Sequence, residues 1–216
     1  MYEPQRVTRV LLDKMVSRRA RALAVVSIAA ALALPSGQAA DSGLGDQLRR
    51  GDVVLVIRHA ATDFSKPDQD PVDLKDCRTQ RNLSADGRRD ASRIGQGAQR
   101  LQLRIGAVLS SPFCRTRETA RLAFGRATVS PTLLNTVTAD HDAAWRRQIR
   151  AARRLLGTKP RPGWVTVLVT HGSVVGDVTG LTLEEGETLV FRPLGDSRFR
   201  LVGRILPRAW AALRSG

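Results

Sequence analysis

Apolar residues in this chain fall into two kinds of pattern. Residues 53–57, Val-Val-Leu-Val-Ile, form an unbroken run rich in β-branched side chains. That is the pattern of a strand covered on both faces. Further apolar runs of strand length lie at 105–109 and 164–169. Between them the period changes. Ser84 is an expected N-cap, and Ala91, Ile94, Ala98 and Leu101 then recur on one side of a helix whose other side is rich in arginine. A second helix is expected from Arg115 to Phe124, begun at Ser110-Ser111-Pro112 and stopped by Gly125. A third, over about 142–156, turns Trp145, Ile149 and Leu156 inward. After a loop expected at Gly172, residues 187–192 and 198–205 are expected as a strand pair joined by Pro193-Leu194-Gly195-Asp196. Strands alternating with helices predict an α/β domain, a three-layer α/β/α arrangement around a mainly parallel sheet. The long connection from Ala60 to about Asn82 has no helical or strand period and is expected to be a functional loop.

The first forty residues have a different character. Arg18, Arg19 and Arg21 precede the run Ala22–Leu34, followed by Pro35 and the small residues Ser36-Gly37-Gln38-Ala39-Ala40. A basic flank, a short apolar stretch and a small-residue cleavage zone describe a secretory signal peptide. The run is too short for a stable membrane anchor. Cleavage is expected after Ala39 or Ala40, with Met15 as a start that gives a leader of ordinary length. The organisation expected is therefore a leader over 1–40 and a single domain over 41–216, placed in the periplasm.

The formal charge of +15 reflects arginine almost entirely, since lysine occurs only at Lys14, Lys66, Lys75 and Lys159. Such a surface attracts phosphorylated or anionic partners, an anionic envelope glycan among them. With three Trp, one Tyr and five Phe there is little to stack on bases, so no nucleic-acid partner is expected. The two cysteines, Cys77 and Cys114, lie in segments expected near the candidate site. In an oxidising compartment they admit two readings, one bridge or two buried thiols. No Cys-x-x-Cys or His-x-x-x-His spacing marks a metal site, and no cofactor is expected.

Candidate chemistry lies just past the strands. Arg58-His59-Ala60 follows the first, Ser110-Ser111-Pro112-Phe113-Cys114-Arg115 the second, and Thr170-His171-Gly172 the third. In open α/β sheets, sites form beyond the carboxyl ends of the strands. Two imidazoles, two arginines and a helix N-terminus converging there make an anion pocket suited to a phosphoryl group.

These three segments, in this order, resemble the histidine phosphatase superfamily with its phosphoglycerate mutase-like fold. Its pattern is Arg-His-Gly/Ala, Ser-Ser-Pro-x-x-Arg-x-x-x-Thr-Ala and Thr/Ser-His-Gly. The resemblance implies that His59 is a nucleophile forming a phosphohistidine, while Arg58, Arg115, His171 and Gly172 bind the phosphoryl group of a small phosphorylated substrate. The general acid of that family follows the second histidine directly or comes from the segment before it. Gly172 excludes the first placement, and Asp140, or else Asp142, suits the second. Glu118 is expected as a surface partner of Arg115 or Arg121, and Asp63 as a loop residue bonding local backbone. The stretch Asp76–Ser84 with Ser-Ser-Pro-x-Cys-Arg is similar to the small, exported, single-domain bacterial branch. The implied activity is metal-independent hydrolysis of a phosphomonoester, such as a sugar phosphate. The alternative is an idle periplasmic domain that grips phosphorylated glycans.

Overall fold

The computed structural model describes residues 36–137 and 142–214. The expected leader lies outside these residues, apart from the backbone of its last five. There the first helix, α1 (Ser36–Arg50), runs across the expected junction. The remaining elements are β1 (Val53–Arg58), α2 (Ala85–Arg100), β2 (Ile105–Ser110), α3 (Cys114–Phe124), β3 (Thr128–Val129), α4 (Ala143–Gly157), β4 (Val165–Thr170), α5 (Gly172–Thr179), β5 (Thr188–Gly195) and β6 (Arg198–Ile205). Among the described residues no helix is long and apolar enough to cross a membrane.

One six-stranded sheet in the order β3-β2-β4-β1-β5-β6 forms the middle layer. The first four strands are parallel, and β5 and β6 join antiparallel to their neighbours. The alternation of β1 sorts its side chains to two cores, as a strand buried on both faces requires. Val53, Leu55 and Ile57 meet Leu48 of α1, Ile94 and Ala98 of α2, Ala120 and Ala123 of α3, and the buried Trp210. Val54 and Val56 meet Ala152 and Leu156 of α4 and Val174, Val175 and Val178 of α5 on the other side. The three-layer α/β/α expectation is met.

Local signals explain most element ends. Ser84 caps α2, its Oγ accepting from the Gly87 N–H at 3.0 Å, and Asp142 caps α4 by accepting from the Trp145 N–H at 2.8 Å. Gly125 ends α3 at φ +71°, a conformation open to glycine at no steric cost. α2 and α3 come close at Gly95, where a Cβ would lie 2.4 Å from the Ala123 carbonyl oxygen.

Three expectations need correction. The segment after His171 is not a loop but α5, begun at Gly172. It is short, and its valines continue an apolar run rather than standing out as a stripe. The β5–β6 connection is tighter than four residues: β5 continues through Pro193 to Gly195, and Asp196 and Ser197 turn the chain at φ +52° and +58°. Two successive positive φ values give the turn that matches the twist of paired strands. Glu118 pairs with Arg88 of α2 at 2.7 Å, not with Arg115 or Arg121, because α2 packs alongside α3.

The long connection after β1 is ordered by polar contacts. Thr62 bridges to Leu83, the Gln69 N–H donates to the Thr79 carbonyl at 2.8 Å, and buried Gln80 accepts from the Cys114 N–H at 2.8 Å. Cys77 and Cys114 are joined in a disulfide with Cα atoms 5.7 Å apart, which ties this loop to the first turn of α3. The bridge spans 37 residues, and closing a loop of that size contributes about 4 kcal/mol in the chain-entropy model. Thiol counting on unfolded, unreduced protein should find no free thiol. Two free thiols would show that the loop is held by its hydrogen bonds alone.

Candidate active site

Because β1, β2 and β4 are parallel, their carboxyl ends open on the same side. The β1–β4 register places Arg58 opposite Thr170, and the His59 N–H donates to the Thr170 carbonyl at 3.0 Å. His59 and His171 therefore leave neighbouring strands side by side, ring centroids 5.4 Å apart at 66°. The Ala60 N–H donates to Thr119 Oγ1 of α3 at 3.0 Å, and the His59 carbonyl accepts from the Gly186 N–H at 2.9 Å. The backbone at the imidazole is thus pinned by β4, α3 and the segment before β5.

His59 Nδ1 lies 3.0 Å from the Ala60 carbonyl oxygen. A carbonyl only accepts, so Nδ1 carries the proton and Nε2 holds the lone pair. Burial, the largest effect, lowers the His59 pKa to about 3, with Arg115, Arg58 and Arg81 adding to it and the Ala60 hydrogen bond opposing. The ring is neutral at pH 7, as a nucleophile must be. His171 is buried as well, and desolvation first, then His59 and the arginines, holds its pKa well below the ordinary 6.5. The Ser111 hydroxyl lies 2.8 Å from His171 Nε2 and accepts from the Phe113 N–H. His171 Nδ1 is buried and has no partner among the described residues, which leaves it open to a phosphoryl oxygen.

Three guanidinium groups surround the rings. Arg58, at the end of β1, donates to the Leu183 carbonyl at 2.8 Å. Arg115, in the first turn of α3, is 1% exposed and lies 4.2 Å over the Phe113 ring. Burial pushes its pKa down, and the Asp68 carboxylate, 2.9 Å from Nη1, opposes that. The third, Arg81, belongs to the long loop and was not singled out in the sequence. The Nε atoms of Arg58 and Arg115 are buried and have no partner among the described residues. The N-termini of α3 and α5 close the same spot, adding oriented N–H groups and positive dipole ends.

Two carboxylates also escaped the sequence reading. Glu185 accepts from Thr62 N–H and hydroxyl at 3.1 and 2.8 Å. It stands 3.6 Å from both Arg58 and Arg81 and 3.8 Å from His59 Nδ1. It therefore faces the protonated nitrogen of His59, not the one that would attack. Asp68 accepts from Arg115 and, at 2.8 Å, from the Arg81 N–H. Both lie in loops without periodicity, and only the fold brings them to the histidines. The remaining expectations for acidic residues divide. Asp63 accepts from the Ser65 N–H and hydroxyl, a local loop role as expected. Asp142 spends its carboxylate on the α4 cap, and the Trp145 hydrogen bond foremost lowers its pKa, which makes it a poorer proton donor. Asp140 and His141 lie outside the described residues.

Arg58, His59, Arg115, His171 and Gly172 line one cleft of about 490 Å³, together with Asp68 and Arg81. Positive charge, two neutral imidazoles and unpartnered donors in one concave site can hold a tetrahedral dianion and attack it with nitrogen.

Residues 54–138 match the model of the histidine phosphatase superfamily (branch 1). The match includes His59 and Arg115 and stops short of His171. The structure resembles an open reading frame of Mycobacterium tuberculosis, with 17% identity over 71% of this chain and 97% of that one, at a TM-score of 0.50. It also resembles a mycobacterial glucosyl-3-phosphoglycerate phosphatase in complex with VO3: 20% identity, 70% and 98% coverage, TM-score 0.50. At these identities the likeness is one of fold. No curated protein matches the sequence. The family match is confined to the segment that holds His59 and Arg115, and the structural likeness supports the fold.

Two outcomes are expected. Both imidazole pKa values are lowered on folding, so the unfolded chain binds more protons below its ordinary value of 6.5. Stability from these groups is complete above pH 6.5 and is lost as pH falls toward about 3. Tm measured from pH 7 to 4 should fall less steeply in His59→Asn than in wild type; parallel slopes would contradict the buried neutral ring. Arg115→Lys should lose nearly as much phosphate affinity as Arg115→Ala, because a point charge cannot replace a planar fork. Lysine retaining more than half the affinity would make Arg115 a general electrostatic contributor.

Proposed function

We propose that this protein is an exported, metal-independent phosphomonoesterase that works through a phosphohistidine at His59. The observation that carries the reading is the His59 tautomer. Nδ1–H is committed to the Ala60 carbonyl, and burial keeps the ring neutral, so Nε2 offers its lone pair beside three guanidinium groups.

In the first step Nε2 attacks phosphorus in line. The N–P bond forms as the bond to the ester oxygen breaks, and charge spreads over the equatorial oxygens. Arg58, Arg115, His171 and the Gly172 N–H hold those oxygens, with Arg81 adding positive charge. Asp140 gives its proton to the departing alkoxide. Water then attacks the phosphohistidine, yielding its proton to the Asp140 carboxylate and releasing phosphate and neutral His59. Dividing the displacement in two lowers the barrier of each part. Asp140 has this role because it lies three residues after Val137, which lines the cleft, while Asp142 is taken by the helix cap.

Export is supported by the leader pattern in residues 1–40 and fits the Cys77–Cys114 bridge. The substrate fitting this setting is a small phosphorylated molecule of the envelope, a sugar phosphate in particular.

Purified protein should release phosphate from p-nitrophenyl phosphate in the presence of EDTA, and acid quenching should trap an acid-labile phosphoryl adduct. His59→Ala should show less than a thousandth of the wild-type rate and no adduct while keeping its fold by circular dichroism. Phosphate binding without adduct or turnover in wild type would identify an idle anion-binding domain. More than a tenth of the activity left in His59→Ala would remove the nucleophile assignment.

A further inference from the structure

Positive charge in the cleft is concentrated in one cluster. Arg58 and Arg81 share Glu185, while Arg115 is joined to Arg81 through Asp68 and through the Arg81 carbonyl. All three therefore belong to the phosphate end. The rest of the lining has another chemistry. Among the described residues it consists of Asn135, Val137, Ser173, Gly176 and the Leu181-Thr182-Leu183 segment, none of them charged. Asn135 Oδ1 accepts from the Ser173 hydroxyl at 2.7 Å and from the Val137 N–H at 3.3 Å. The Asn135 amide N–H groups are thus oriented as donors. Behind this wall Asp177 of α5 accepts from the Thr136 hydroxyl at 2.7 Å and the Trp145 indole N–H at 3.1 Å. Among the described residues of this wall, a second anion on the substrate would find no cation.

On the phosphatase reading above, we propose that the cleft selects monophosphate esters whose alcohol is neutral and bears hydroxyl groups, with Asn135 and Ser173 as specificity-determining contacts. Neutral amide and hydroxyl groups beside leucine and valine suit a polyol or sugar, whose hydroxyls they bond and whose C–H faces they cover. A carboxylate or second phosphate gives up its hydration without a compensating charge. Sites built to bond a hydroxyl also discriminate strongly against partners that leave those groups unpaired.

The test measures binding apart from turnover. Calorimetric titration of His59→Ala with glucose 6-phosphate, 3-phosphoglycerate and fructose 1,6-bisphosphate should give at least tenfold tighter binding of the first. Asn135→Ala should narrow that gap, and Thr182→Lys should tighten 3-phosphoglycerate at least fivefold. Equal or tighter binding of the two compounds with a second anionic group, or no binding of any of the three, overturns the proposal. Wild-type turnover of p-nitrophenyl phosphate is measured in parallel. If that turnover is missing while the binding preference holds, the phosphatase reading falls and the selectivity stands. If turnover is present while the preference is missing, the reverse applies.

Discussion

The parallel pairing of β1 with β4 is the constraint on which the site depends. Both strands are buried on both faces, so their register is held by two cores at once, and a slip of one residue would exchange every side chain between them. Given that register, the His59 N–H reaches the Thr170 carbonyl and the two imidazoles leave adjacent strand ends. β2, on the far side of β4, brings Ser111 to His171 in the same way, with the Ser111 N–H on the Val169 carbonyl at 3.0 Å. No loop has to search for the position of His59. The sheet places it, and α3 and α5 begin where the strands end.

Burial then sets the chemistry. Imidazoles removed from water lose their affinity for protons, which leaves both rings neutral. The same burial makes the guanidinium groups costly to hold. The fold offsets that cost with Asp68 and Glu185, which pair with the arginines and hold them aligned. A phosphate dianion entering the cleft meets positive groups that are already desolvated, so little reorganisation remains for the moment of reaction.

The loop between β1 and α2 supplies Asp68 and Arg81, two of the site's charged groups, without any regular element of its own beyond a short turn. Its order comes from backbone bonds, from Gln80 on the first turn of α3 and from the disulfide. A flexible segment would lose too much entropy on presenting Arg81 in one orientation. Anchoring its far end beside Arg115 makes the arrangement part of the scaffold.

The sequence by itself determined the strands β1, β2 and β4, the helices α2, α3 and α4, and the identity of His59, Arg58, Arg115 and His171. These are legible because burial of both faces, one-sided helix patterns and short motifs after strands are local properties of the chain. It left α5 and the true β5–β6 turn unread, since an eight-residue apolar helix and a turn with two non-glycine residues at positive φ carry weak local signals. Only the tertiary structure decided that Cys77 meets Cys114, that Glu118 serves Arg88, and that Asp68, Arg81 and Glu185 stand beside the histidines. Those pairings join residues far apart in the chain, and no periodicity encodes them. They exist because the packed sheet and helices bring loop ends to one point, where each buried charge must find a partner.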